Sequence, residues 1–182
     1  MAAPNPLILL AVPQMADPNF ARRVVLVVEF DPREGSMGLV TNNPTSLTLG
    51  TFARSQNLEC HPDLEKIPVF TGGPVSPDRG WILHTDAEIR EKRELMPGLF
   101  LSGTVDSLKT LLEKGSKPLQ LYLGYAGWTG GQLELEMAAG SWISVPATND
   151  NIFQLDPTTA WNAIFRQMGV DPMKVISVSG VH

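Results

Sequence analysis

His84 closes an apolar run, Trp81-Ile-Leu-His84, and Asp86 follows two positions later. An imidazole with a carboxylate to orient it is the minimum for general acid–base chemistry. No third residue of a catalytic set accompanies the pair, and a lone histidine at a strand end is more often a hydrogen-bonded structural residue. Glu59-Cys60-His61 with Asp63 has metal-ligating residue types. Adjacent side chains rarely converge on one ion, though, and neither a CxxC nor an HxxxH spacing is present, so no metal site is expected. Gly124-Tyr-Ala-Gly-Trp-Thr-Gly-Gly131 reads as a loop between a strand and a helix. Phosphate loops sit at such places, where free N–H groups and the helix dipole attract anions. The glycine spacing does not match a nucleotide fingerprint and no Lys-Ser/Thr pair follows. Glu134 and Glu136 in the first turns would repel phosphate, so a tight turn with positive φ accounts better for the glycines. Ser36, in Gly35-Ser-Met-Gly38, is not in the Gly-x-Ser-x-Gly elbow of hydrolases. No catalytic residue and no cofactor is assigned.

The elements that position these residues read as strands first, then strands and helices mixed. Leu7–Ala11 and the β-branched run Val24–Val28 predict strands buried on both faces. Asp31-Pro-Arg-Glu-Gly35 turns the chain and Met37–Thr41 returns as a hairpin partner. Thr48 caps a short helix with Leu49, Phe52 and Ala53 inside. Residues 57–66 read as loop, Ile67–Phe70 and Trp81–His84 as strands, 86–96 as charged and irregular, and Leu99–Leu101 as a short strand. A helix spans Thr104–Glu113, capped by Thr104 and ended by Gly115, with Val105, Leu108, Leu111 and Leu112 as its buried stripe. Leu119, Leu121 and Leu123 alternate with Gln120 and Tyr122, the pattern of a half-buried strand. Gln132–Ala139 is helical and Trp142–Val145 a strand. The last helix has Asp156 as cap, Pro157 at its first position, and Trp161, Ile164, Phe165 and Met168 in one buried stripe. This order predicts an α+β class, with a mixed, mostly antiparallel sheet that could partly close on itself, and flanking helices.

Length and composition bound the rest. A chain of 182 residues, 43% of them apolar, suits one domain with one continuous core. The net charge of −5 opposes a nucleic-acid surface. The densest basic stretch, Arg90, Lys92 and Arg93, is interrupted by Glu88, Glu91 and Glu94 and reads as a solvated face. One cysteine, Cys60, permits no intramolecular disulfide and suits a reducing compartment. The first residues lack a basic signal region, the run Leu7–Val12 is too short for a signal core, and no run approaches the ~20 apolar residues of a spanning helix. The expectation is a cytoplasmic protein with no membrane contact.

Five stretches in register carry a resemblance. They are Pro13-Gln-Met-Ala-Asp-Pro-Asn-Phe20, Gly38-Leu-Val-Thr-Asn-Asn-Pro44, Gly72-Gly-Pro-Val75 with Trp81-Ile-Leu-His84, Gly124-Tyr-Ala-Gly-Trp128 running on to Gln132-Leu-Glu-Leu-Glu136, and Trp142. From about Leu7 onward the chain resembles the YqgE/AlgH family of bacterial proteins. The resemblance implies a compact cytoplasmic α+β domain, in a family without an assigned activity whose members are in some cases labelled transcriptional regulators. No helix-turn-helix or basic recognition helix supports direct DNA contact here. Family members often carry Cys-Glu-His after the second strand. This chain has Val28-Glu29-Phe30 there, so any redox or metal role resting on that Cys or His is absent. It also ends Gly180-Val-His182 where the family tends to end Gly-His-Ala.

The function expected is that of a non-enzymatic binding or regulatory domain with another protein as partner. Its candidate surface comprises Asn42, Gly72, Gly73, His84, Tyr125, Trp128, Gln132 and Glu136, drawn from loop tips mounted on strands. Tyr125 and Trp128 are its candidate partner anchors, since aromatics dominate interface hot spots. The alternative is an enzyme or small-ligand binder on the same surface, with His84 and Glu136 as the titratable pair.

Overall fold

The computed structural model describes residues 6–174. In chain order the elements are β1 (Leu7–Ala11), β2 (Val24–Asp31), β3 (Gly35–Val40), β4 (Pro44–Thr48), α1 (Leu49–Ser55), β5 (Pro68–Thr71), β6 (Val75–His84), β7 (Arg93–Met96), β8 (Leu99–Ser102), α2 (Val105–Lys114), β9 (Leu119–Trp128), α3 (Gln132–Ala138), β10 (Trp142–Pro146) and α4 (Ala160–Gln167). A 3₁₀ turn, Pro62–Leu64, and a π-helical turn, Asp150–Gln154, complete them. The class is α+β as expected, with every strand pair antiparallel except β5–β9. The chain divides into two compact units, Pro44–Tyr125 and residues 6–43 with 126–174. No described helix is long and apolar enough to cross a membrane.

In the first unit β9 lies between β5 and β6, and β6 continues to β8 and β7. Its core joins Ile82, Leu119 and Leu121 from the strands to Leu49 and Ala53 of α1 and Leu108, Leu111 and Leu112 of α2. Both helices are capped as their sequences require: Thr48 accepts from the Thr51 N–H and Thr104 from the Ser107 N–H, and Gly115 closes α2. Val105, expected inside, is 69% exposed. The buried arc of α2 is Ser107, Leu108, Leu111 and Leu112, and at 100° per residue Val105 lies roughly 90° from its centre. Two other readings change. The expected irregular stretch 86–96 contains β7, which pairs with β8 across the Pro97-Gly98 turn. In the strand expected to be half-buried, Leu119 and Leu121 are buried and Gln120 stays partly exposed, but Tyr122 of the outer set is fully buried against Phe70, and its hydroxyl donates to Gln120.

The stretch from Gly124 is also not a loop. It is strand as far as Trp128, with Gly124 left-handed at φ 78°. A Cβ at Gly124 would stand 2.4 Å from the Gly73 carbonyl oxygen. Close approach of the Gly72-Gly73 backbone, fixed also by the Gly72 N–H donating to Leu123, is what this glycine permits.

In the second unit the strands run β10-β1-β2-β3, and the last three residues of β9 add to β3. Ile8–Ala11 and Val24–Val28 are buried throughout, as runs without alternation predict. The final helix begins later than expected. Thr159, not Asp156, is its cap, and the Asp156 carboxylate instead accepts from the Thr158 N–H and hydroxyl, the local turn that competes with helix. Trp161, Ile164 and Phe165 are buried, but Met168 is 38% exposed because it stands one residue past the last helical turn. The C-terminal Gly180-Val-His182 lies outside the described residues.

Phe165→Ala is expected to destabilise by ~3–5 kcal/mol, against under ~1 kcal/mol for Met168→Ala, in parallel denaturant melts. Gly124→Ala is expected to cost more than ~1 kcal/mol, from the left-handed φ and the Gly73 clash together. A neutral result at Gly124 would overturn the close-approach account.

Candidate functional site

The sequence-derived candidates divide between the two units. Gly72, Gly73, His84 and Tyr125 belong to the first, and Asn42, Trp128, Gln132 and Glu136 to the second.

His84 is fully buried. Its Nδ1 accepts from the Asp86 N–H at 3.2 Å, which places the ring proton on Nε2, 2.8 Å from the Ser102 hydroxyl. That hydroxyl in turn donates to the Glu91 carbonyl, as does the Ser107 hydroxyl. Burial holds the imidazole below its ordinary pKa, partly opposed by Asp86 and reinforced by Lys92. The Asp86 carboxylate does not orient the ring. It receives Lys114 at 2.7 Å, the Ser116 hydroxyl and the Glu88 N–H. Burial raises its pKa, but these donors outweigh it and hold the carboxyl at about 2. The expected histidine–carboxylate pair is thus a backbone contact, and a serine–histidine contact with no sequence signal takes its place. Gly72 and Gly73 are buried, and their role is the close approach to β9. Tyr125 is half-buried, edge-on to Trp81, with ring centroids 6.3 Å apart.

The second unit brings three of its four candidates together. The Glu136 carboxylate accepts from the indole N–H of Trp128 at 3.0 Å and of Trp142 at 2.8 Å on one oxygen. Its other oxygen accepts from the Gln132 amide at 3.0 Å. Gln132 completes the link by accepting from the Thr129 N–H. The two indoles meet edge-on, and Phe20 packs against Trp142. Trp128 is buried with Val25, Val27 and Leu133, so it is a core residue and not the exposed anchor its expected loop position suggested. The period-two placement of Trp128 on a strand, not a loop, is the reason. Asn42 stands apart as a backbone clamp. Its side chain accepts from the Val24 N–H and donates to the Arg22 carbonyl, and Arg22 is left-handed at φ 58°.

The other stretches singled out by residue type are structural. His61 caps the 3₁₀ turn by accepting from the Asp63 N–H, and Cys60 packs against the core of the first unit. Ser36 is buried. Among the described residues no three His, Cys, Asp or Glu side chains are grouped to hold a metal ion.

With this geometry in place, comparison with known proteins is decisive on kinship. The AlgH-like family model matches residues 8–173. The chain belongs to this family. A UPF0301 protein of Myxococcus xanthus is 48% identical over 177 residues, 97% of each chain. A UPF0301 protein of Pseudomonas fluorescens is 36% identical over 175 residues, 94% of this chain and 92% of the other. The solution structure of the AlgH protein from Pseudomonas aeruginosa aligns with a TM-score of 0.76 and 32% identity, covering 100% of this chain and 97% of that one. A Corynebacterium diphtheriae protein, at TM-score 0.69 and 20% identity over 92% of this chain and 87% of that one, shares the fold. The family resemblance carried by the five sequence stretches is therefore correct. Trp81 is the residue of those stretches that the candidate surface missed, although it stands in the same motif as His84.

Two measurements test these assignments. Glu136→Leu leaves two enclosed indole N–H groups without an acceptor and is expected to cost on the order of 2–4 kcal/mol, with a shifted tryptophan emission. For His84 the folded pKa lies below the unfolded value of 6.5. Its contribution is present above that value and is lost as pH falls through 6.5 toward the folded pKa, because only the unfolded chain then binds the proton. Wild type should lose stability over this range more steeply than His84→Gln, and equal slopes would exclude the buried-neutral assignment.

Proposed function

We propose that this protein is a non-enzymatic binding domain of the bacterial cytoplasm that acts through a protein partner. The observation that carries the reading is the commitment of its titratable candidates. A general acid or base must come within about 2.6–3.2 Å of the proton it moves. His84 spends both ring nitrogens on internal contacts while fully buried, and Glu136 spends both oxygens on two indoles and an amide. His84 has no ring nitrogen left for a substrate, and three donors already engage Glu136. Around the candidate residues of the first unit, half-buried Tyr125 and Trp81 lie beside exposed Arg79, which covers the indole, and exposed Asp78. The single cysteine supports a reducing compartment.

The regulatory label attached to some relatives fits this reading through protein contact. The net charge of −5 opposes direct DNA contact.

Tagged protein is expected to retain a stoichiometric partner from a lysate of its source bacterium, and reciprocal capture through that partner should recover this chain. Retention of nothing, or an activity screen that finds turnover abolished by both His84→Gln and Glu136→Gln in folded protein, would overturn the proposal in favour of an enzyme.

A further inference from the structure

The strand β10 ends the ladder of the second unit, because β1 is the one strand it pairs with among the described residues. Its register decides which of its backbone groups are used. The Ala147 N–H donates to the Pro6 carbonyl and the Val12 N–H to the Ser141 carbonyl. Both pairs lie directly opposite in the register that sets Leu7 against Pro146 and Ala11 against Trp142. Bonded and non-bonded pairs alternate along an antiparallel ladder, so Ile143 and Val145 also turn their backbone groups to β1. Trp142, Ser144 and Pro146 turn theirs the other way. The outer edge therefore presents the N–H groups of Trp142 and Ser144 and the carbonyls of Trp142, Ser144 and Pro146, with Ser144 and Pro146 exposed. Such a row is a template for one more strand.

Proteins blunt free edges with charges, bulges and prolines. The edge strands of the first unit follow that rule: β4 begins at Pro44 and has a register shift, and β7 has a shift together with Arg93 and Glu94. β10 runs its five residues against β1 in unbroken register and carries no charge, and Pro146 withholds a donor at its last position alone. No Asp, Glu, Lys or Arg occurs between Glu136 and Asp150. That neutrality points to the occupant. Copies of a chain with a net charge of −5 repel one another, and they approach best where neither brings charge. A twofold axis also sets like residues together. With Ser144 on the axis, the two Ser144 residues exchange both backbone bonds, and each Trp142 N–H reaches the Pro146 carbonyl of the other copy. Ile143 of one copy then stands opposite Val145 of the other, twice over. Both are half-buried within one chain. Opposed β-branched side chains stabilise a strand pair, whereas like charges at those positions would oppose it.

We propose that the outer edge of β10 is a dimerisation edge, at which a second copy of this chain adds its own β10, antiparallel and centred on Ser144. The dimer is independent of the partner reading above, which stands or falls on capture from lysate.

The test uses the full chain. In sedimentation velocity at micromolar concentrations wild type should run as a dimer. Ser144→Lys sets like charges opposite each other, and Ser144→Pro removes the central donors; each should raise the dissociation constant at least ~10-fold. Neither removes a bond to β1, so unchanged far-ultraviolet circular dichroism separates lost pairing from lost folding, and Ser144→Lys keeps the test valid if Ser144→Pro misfolds. A bonded antiparallel pair holds its Cα atoms ~5.5 Å apart, within reach of a disulfide. With Cys60→Ser in place, Ser144→Cys should therefore give a covalent dimer on mild oxidation. Pro146→Cys should not, since four residues along the strand put it more than ~13 Å from its counterpart. A monomeric wild type, a dimer indifferent to Ser144→Lys, or cross-linking through Pro146→Cys in preference to Ser144→Cys would each overturn the proposal. So would a monomeric wild type whose captured partner is lost in Ser144→Lys, which would give the edge to another protein.

Discussion

The close approach of Gly124 to the Gly73 carbonyl is the constraint from which the first unit takes its order. A side chain at Gly124 would collide with that oxygen, and the left-handed φ bars most residues independently. With both conditions met, β9 pairs in parallel with β5 on one edge and antiparallel with β6 on the other. Trp81 and Tyr125 then lie edge to face, and Arg79 finds an indole to stack on. Three separate sequence stretches, around Gly72, Trp81 and Gly124, thus serve one piece of local geometry.

The second unit solves a different problem, that of placing a carboxylate among tryptophans. Glu136 does so because every donor around it is neutral and aimed: two indole N–H groups on one oxygen and the Gln132 amide on the other. Such a network ties α3 to β9 and β10 while Leu133 supplies the apolar contact. A fully satisfied polar cluster specifies one arrangement of a core, since any slip leaves a buried group unpaired. The same bonds engage both Glu136 oxygens. His84 follows the identical logic in the first unit, with Ser102, the Asp86 N–H and the Glu91 carbonyl closing the set.

In both clusters residues of catalytic type complete hydrogen bonds inside the fold. Arg79 is a different case: it is exposed, and its guanidinium lies over the Trp81 ring.

The sequence by itself determined the family, the α+β class, the double-sided burial of β1 and β2, and the caps of α1 and α2. Each of these is written in local pattern: runs of β-branched and leucine residues, Thr48 and Thr104 before apolar stripes, and the order of five motifs, three of them with glycines. Tertiary structure decided what local pattern leaves open. Tyr122 looks outward by alternation, yet Phe70 and Gln120 close over it. Trp128 looks like a loop anchor, yet the strand continues through Gly124 and carries it into the core. Val105 and Met168 fit apolar stripes but fall at the edge of one and past the end of the other. The physical reason is common to all four. Burial and pairing depend on what arrives from distant parts of the chain, and periodicity records only the direction in which a side chain leaves its own element.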